Sequence, residues 1–208
     1  MQITPQNRCA WVNSDDALYA DYHDTEWGVP EYDSRALWEK LMLDGFQAGL
    51  AWITILRKRD TMRAAFDGFE PSIIAQYTDT DRDRLMANPG IIRSKLKVEA
   101  AIGNAQAYLA MQAAGEDFSN YLWAWIDGAP VQNTYQTHAE VPTKDALSEA
   151  LSKDLKKRGF KFVGPTIVYA FMEAVGMLNN HTIGCPRHKA VQGGAAPTDT
   201  IEPPRIPT

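Results

Sequence analysis

The stretch that most constrains this chain is Asn180-His181-Thr182-Ile183-Gly184-Cys185. A histidine and a cysteine four apart, with a glycine between them, can face one point in space. That is half of a tetrahedral zinc site. The 208 residues hold only one other cysteine, Cys9, and His23 follows it closely. If Cys9, His23, His181 and Cys185 share one ion, the two extremities of the fold are clipped together and metal affinity becomes folding energy. The Cys9–His23 gap is longer than in a finger or a ribbon, so spacing by itself also admits two buried free thiols and two surface histidines. The remaining histidines, His138 and His188, stand in Pro- or Gly-flanked loop or tail sequence and read as solvated.

An apolar fraction of 45% and a charged fraction of 23% are those of an ordinary globular protein with mass enough for a core. No apolar run approaches membrane-spanning length, and no signal peptide is present, so no membrane partner is expected. Two cysteines make no disulfide framework, which points to a reducing, cytoplasmic setting. A net charge of −5 and a pI near 5.4 weigh against nucleic acid as a partner, unless the cations gather on one face.

Residues 1–8 read as a loose lead-in, and 9–30 as ordered but irregular. Asp33 or Ser34 caps a helix to about Ala48, and Gly49 stops it. A second helix fits Ala51 to Phe66. Pro71 opens a short helix, and another fits Asp81 to Ala87, ended by Asn88-Pro89-Gly90. Ser94 to Ala114 is the longest periodic run, with Val98, Ala101, Ile102, Ala105, Tyr108 and Leu109 on one stripe: a core helix. Tyr121 to Ile126 carries two tryptophans and stops at Asp127-Gly128, and 128–142 reads as a long loop. Lys144 to Arg158 and Gly164 to about Leu178 are helical. Strand signals are thin, so the class is all-α: one globular domain over 1–185 and a flexible, Pro-rich tail over 186–208.

Between the last two helices runs Arg158-Gly159-Phe160-Lys161-Phe162-Val163-Gly164-Pro165-Thr166. Glycine at both ends lets the backbone turn sharply and approach something outside it. The helix starting at Gly164 presents free N–H groups, a ready anion site. Lys153, Lys156, Lys157, Arg158 and Lys161 gather beside it in an otherwise acidic chain. A hairpin that grips a DNA phosphate needs these parts; a plain αα-hairpin with a solvated charged face has them too.

Tyr22, Trp27 and Trp52 lie in or beside the regions that a metal clip would bring together. Asp44 sits among Leu43, Phe46, Ala48 and Trp52, where an unpaired charge is costly. Aromatic faces can stack a flat base, more strongly if it is cationic, and a carboxylate can accept from an exocyclic amine. A tryptophan-rich core with one surface aspartate is the competing reading.

Taken together, Arg8–Val12, Tyr22–Pro30, Asp44–Trp52, Gly90–Arg93, Lys156–Gly164 and His181–Cys185 resemble the DNA-3-methyladenine glycosylase I family, over about residues 8 to 185. The resemblance implies an all-helical helix–hairpin–helix glycosylase with one structural zinc on Cys9, His23, His181 and Cys185. It implies a base pocket built from Tyr22, Trp27, Trp52 and Asp44, with Asp44 as the catalytic carboxylate. It also implies DNA contact through Lys161, Val163, Gly164 and Thr166, and Gly49-Leu50 filling the gap left by a flipped base. The best-known members carry Glu in the pocket; Asp44 is one methylene shorter, which draws the carboxylate back by about 1 Å.

The expected reaction is monofunctional removal of 3-methyladenine from double-stranded alkylated DNA by a monomer, without a Schiff-base lysine. Glu173, the one acidic residue between Pro165 and Cys185, reads as a solvated mid-helix residue. The rival reading is a zinc-stapled DNA-binding module without catalysis; a third is a helical protein unrelated to DNA.

Overall fold

Local capping chemistry sets most of the helix starts. In the computed structural model, which describes residues 2–192, Asp16 caps α1 (Ala17–Thr25) and Asp33 caps α2 (Ser34–Gln47), each accepting a backbone N–H of the first turn. Then follow α3 (Trp52–Leu56), α4 (Arg59–Ala65), α5 (Pro71–Ile74), α6 (Asp79–Ala87), α7 (Lys95–Ala113) and α8 (Phe118–Trp123). A capping box between Asp145 and Ser148 opens α9 (Ala146–Lys157). Pro165 and Pro186 stand at the first positions of α10 (Pro165–Ala174) and α11 (Pro186–Ala190), where a missing N–H costs nothing.

Helix α2 is the central element. It packs against α3, α7, α8 and α10, and Leu37, Trp38, Leu41, Met42, Leu43 and Phe46 are all buried. Each such side chain contributes about 1.5–3 kcal/mol relative to an exposed one, so α2 is a firm base for two of its charged residues, Lys40 and Asp44. Its C-terminus is held from outside: Lys97 Nζ donates to the carbonyls of Phe46 and Ala48, both at 2.7 Å. That fixes the exposed Gly49-Leu50 turn, where Gly49 has φ +79° and Leu50 is 41% exposed.

The chain is helical as expected, with five departures. Segment 9–30 contains a regular helix, α1, because Asp16 supplies a cap. The single helix expected over 51–66 is two, α3 and α4; the Thr61 hydroxyl donates to the carbonyls of Lys58 and Gly90, tying the break to the turn that follows α6. Helix α10 ends at Ala174, short of Leu178. There Gly176 has φ +72°, and a Cβ on it would lie 2.4 Å from Pro30 N, so only glycine lets the chain reverse against residues 28–31. The loop over 128–142 is partly regular: β1 (Val131–Gln132) pairs in parallel with β2 (Leu178–Asn179).

The fifth departure is the tail. Pro186–Ala190 is helix α11, not flexible chain, and His188 is buried rather than solvated, with Nε2 2.8 Å from the Asn133 carbonyl. The rest of the expected tail, residues 193–208, lies outside the described residues. Among the described residues no helix is long and apolar enough to cross a membrane.

Candidate functional site

Cys9, His23, His181 and Cys185 do meet. All four are buried, and one ligand atom from each lies within 4.8 Å of the others. Cys9 Sγ is 3.5 Å from His181 Nδ1, and Cys185 Sγ is 3.7 Å from His23 Nε2 and 3.8 Å from His181 Nδ1. The outer nitrogens are occupied. His23 Nδ1 sits 2.7 Å from Asp24 Oδ1, and His181 Nε2 sits 3.0 Å from the Trp27 carbonyl. Donating those protons leaves His23 Nε2 and His181 Nδ1 as lone pairs aimed at the cluster centre. Asp24 is held in turn by a forked contact from Arg8, at 2.9 and 2.6 Å. The cluster can therefore hold a metal ion and joins the start of the chain to Cys185.

Beside it lies a cavity of about 200 Å³. Tyr22 and Trp27 reach it from α1 and the turn after it, Lys40 and Asp44 from α2, Trp52 from α3 and Glu173 from α10. Thus all four expected pocket residues line one hollow. Tyr22 and Trp52, two of the three rings expected to stack a base, do not leave room for one between them. Tyr22 and Trp52 have centroids 5.4 Å apart, tilted by 43°, whereas a flat base between two rings needs about 7 Å at ordinary contact distances. Trp27 meets the edge of His181 at 4.5 Å, so it serves as a wall for cavity and cluster alike. A larger hollow of about 310 Å³ adjoins this one, sharing Tyr22, Lys40 and Trp52, but Arg35, Arg63 and Arg59 bordering it are already paired with Glu39 and Glu26.

The cavity is strongly polarised. Asp44 is 1% exposed; its Oδ1 takes a 2.5 Å contact from Lys40 Nζ, while its Oδ2 has no partner among the described residues. Lys40 and Asp44 are four apart on one helix, the spacing at which side chains meet. Burial lowers the Lys40 pKa and raises that of Asp44, and each charge offsets the other's shift. The same ammonium lies 4.0 Å above the Trp52 ring. Glu173 corrects an expectation: it is half-buried rather than solvated. It lines the cavity and accepts from Asn180 Nδ2 at 2.8 Å. Burial, aided by Asp44, pushes its pKa up to about 7 against the pull of Asn180 and Lys40.

The hairpin between α9 and α10 is held by side-chain bonds to its backbone. Gly159 has φ +101° and Phe162 φ +56°. Buried Asn104 pins Lys161 at both backbone atoms, at 2.7 and 3.0 Å, and the Ser152 hydroxyl donates to the Val163 carbonyl at 2.6 Å. Lys161 and Thr166 are exposed, and no side chain caps α10. Two expectations change here. The Val163 side chain is buried, so only its backbone can face a partner. Arg158 is not a free cation: it bonds Glu116 at 2.8 Å and Asp154 at 2.6 Å and braces the end of α9.

Residues 11–188 match the family model described as methyladenine glycosylase. The chain belongs to the methyladenine glycosylase family. A relative from Haemophilus influenzae named DNA-3-methyladenine glycosylase is 50% identical over 179 residues, 86% of this chain and 96% of its own length. One from Escherichia coli K12, named DNA-3-methyladenine glycosylase 1, is 51% identical over 178 residues, 86% and 95% of the two chains. The crystal structure of a 3-methyladenine DNA glycosylase I superposes with a TM-score of 0.84 at 51% identity, covering 86% of this chain and 98% of that one. Another, solved with 3-methyladenine bound, gives 0.83 at 41% identity, covering 91% and 100%.

Sequence reasoning missed Lys40 altogether as a member of this family's cavity in this chain. The signal was available: a lysine one turn before an aspartate that has to be buried. For Glu173 no local signal existed, because its partner Asn180 comes from the segment after α10 and meets it only in the folded state.

Proposed function

We propose that this chain is a DNA repair glycosylase that hydrolyses the N-glycosyl bond of 3-methyladenine in alkylated DNA. The observation that carries the reading is the unpartnered, buried Oδ2 of Asp44 facing an aromatic-walled cavity, in a chain half identical to named 3-methyladenine glycosylases. A flipped N3-methylated adenine is a flat cation. It stacks on the rings of Tyr22, Trp27 or Trp52 and donates its exocyclic amine to Asp44 Oδ2. Entry of the base along one ring face, or a shift of Tyr22 from Trp52, supplies the missing width.

The C1′–N9 bond then breaks with its electron pair going to the base, which quenches the base's charge. Water adds to C1′ and loses a proton to solvent. Because the cationic base leaves readily, binding and exclusion of water do most of the work, and strong general acid catalysis is not required. Lys40 offers no free amine for a Schiff base: its ammonium is tied to Asp44. The enzyme is therefore monofunctional.

Cys9, His23, His181 and Cys185 would hold a zinc ion. Tetrahedral geometry with Zn–S near 2.3 Å and Zn–N near 2.05 Å sets sulfur–nitrogen edges at about 3.6 Å, and the edges here run from 3.5 to 3.8 Å. The ion's role is structural: four protein ligands leave no open position. The α9–α10 hairpin acts as the helix–hairpin–helix element, with Lys161 and the amides at Val163, Gly164 and Thr166 on a phosphate, and Leu50 at the exposed turn enters the gap left by the base. The chain works as a monomer in the cytoplasm.

The decisive experiment is a chromatogram of bases freed from methylated duplex DNA. Release of 3-methyladenine by the wild-type chain supports the reading; DNA binding without any release would replace it with the non-catalytic module.

A further inference from the structure

The cavity holds one charged group more than recognition of a cationic base requires. Lys40 sits against Asp44 at 2.5 Å and over the Trp52 ring at 4.0 Å. It thus already occupies the carboxylate oxygen and the ring face that would attract a cation. An Asp44–Lys40 pair on its own is neutral and offers a positively charged base little long-range attraction. Glu173 lines the same hollow from α10, and among the described residues no cation is bonded to it; its carboxylate accepts from Asn180 Nδ2, which also donates to the Tyr169 hydroxyl.

We propose that Glu173 is a specificity-determining residue of the base pocket, a second carboxylate whose charge restores the selectivity for cationic bases that Lys40 cancels at Asp44. Two carboxylates against one ammonium leave one net negative charge in the cavity. The other titratable groups that border it are Tyr19, Tyr22 and His138; the tyrosines, pushed up by burial, stay neutral. Above about pH 7 Glu173 is ionised and the pocket attracts a cation; below it, Glu173 is neutral and the advantage fades.

This inference rests on the reading of the cavity as a base pocket, and its test is separable from that reading. The probes are the permanent cation 3,9-dimethyladenine and neutral 9-methyladenine, titrated at pH 8 against tryptophan fluorescence. The wild-type chain should prefer the cation, and Glu173→Gln should lose about tenfold of that preference while Gln still accepts from Asn180 and keeps the fold. Adding Lys40→Met to Glu173→Gln returns the cavity to one net negative charge and should restore most of the preference. A structural role for Glu173 would not be rescued in this way.

On the unaltered chain, affinity for the cation should rise as the pH passes about 7, with no such rise for the neutral base. A single variant that keeps the wild-type preference, a double variant no better than the single, or a flat wild-type profile would overturn the proposal. Failure of the wild-type chain to release 3-methyladenine from methylated DNA would overturn both readings; release with unchanged discrimination in Glu173→Gln overturns this one alone.

Discussion

Replacing Asp44 by Asn keeps the shape of the side chain and removes its charge. Asp44 Oδ2 is buried and, among the described residues, unpartnered, so a base that donates to it meets an ionised acceptor at contact distance, even though Lys40 on Oδ1 offsets the attraction at longer range. Two unit charges about 4 Å apart at an effective dielectric near 20 interact by about 4 kcal/mol. The amide oxygen of Asn retains a fraction of this, so about 2–4 kcal/mol of transition-state binding should disappear, equivalent to a 30- to 1,000-fold drop in kcat/KM. Lys40 enlarges the loss, because its ammonium then faces the cationic base without a neighbouring carboxylate. Its contact with the Asn oxygen limits the cost to folding to about 1–3 kcal/mol. The assay is release of 3-methyladenine from methylated duplex under kcat/KM conditions, with a thermal melt beside it to separate lost activity from lost structure. A variant within about threefold of wild type, with an unchanged melt, would remove Asp44 from the base contact.

Other outcomes test other parts of the site. Lys161→Ala should weaken binding to any duplex sequence and reduce the slope of log affinity against log salt by about one unit, measured by fluorescence anisotropy; an unchanged slope would take Lys161 off the phosphate. Leu50→Ala should slow base release from duplex more than from single-stranded DNA, since only the duplex closes over the gap; equal losses on both would exclude a wedge. Glu173 carries a pKa of about 7 in the fold against 4.5 for the free side chain. A carboxyl raised in this way favours the folded state below pH 4.5, and that contribution, at most about 3 kcal/mol, is lost as the pH rises through 7. Melting temperature should therefore fall across that window, and Glu173→Gln should flatten the fall.

Most of the helices were legible because their signals are local: an aspartate cap, a glycine stop, an apolar stripe. Asp33 and Gly49 bound α2 almost to the residue, and the stripe from Val98 to Leu109 describes α7. Helix α1 was overlooked because its apolar positions are mixed with Tyr, His and Asp that face the cavity and the metal cluster, so function erased the period. The end of α10 was misplaced because its cause is remote: Gly176 must pass against the backbone of Val29 and Pro30. The Cys/His cluster was legible only as a set of four residue types. Its geometry depends on Asp24 and the Trp27 carbonyl, neither of which spacing can supply. Arg158 was misjudged because one of its two carboxylate partners, Glu116, is brought close only by folding; Lys40 was missed although its partner, Asp44, stands one turn away on the same helix.

The Cys9/His23/His181/Cys185 cluster and the cavity share a wall. Trp27 supplies the carbonyl that orients His181, its ring lies 4.5 Å from the same imidazole, and its outer surface walls the cavity. Gly28, next in the chain, passes so close that a Cβ would lie 2.9 Å from His181 Nε2. Moving His181 therefore moves Trp27. Metal analysis should find one zinc per chain, and Cys185→Ser should lose it. The helices around α2 and α7 do not depend on the ion for their packing, so the metal-free chain should keep most of its helical circular dichroism at low temperature. Base affinity should fall first, as Trp27 is released, and the melt should shift downward. A metal-free chain that binds 3-methyladenine as the loaded one does would break the link between the clip and the pocket, and would leave the zinc with no task beyond tethering the chain's extremities.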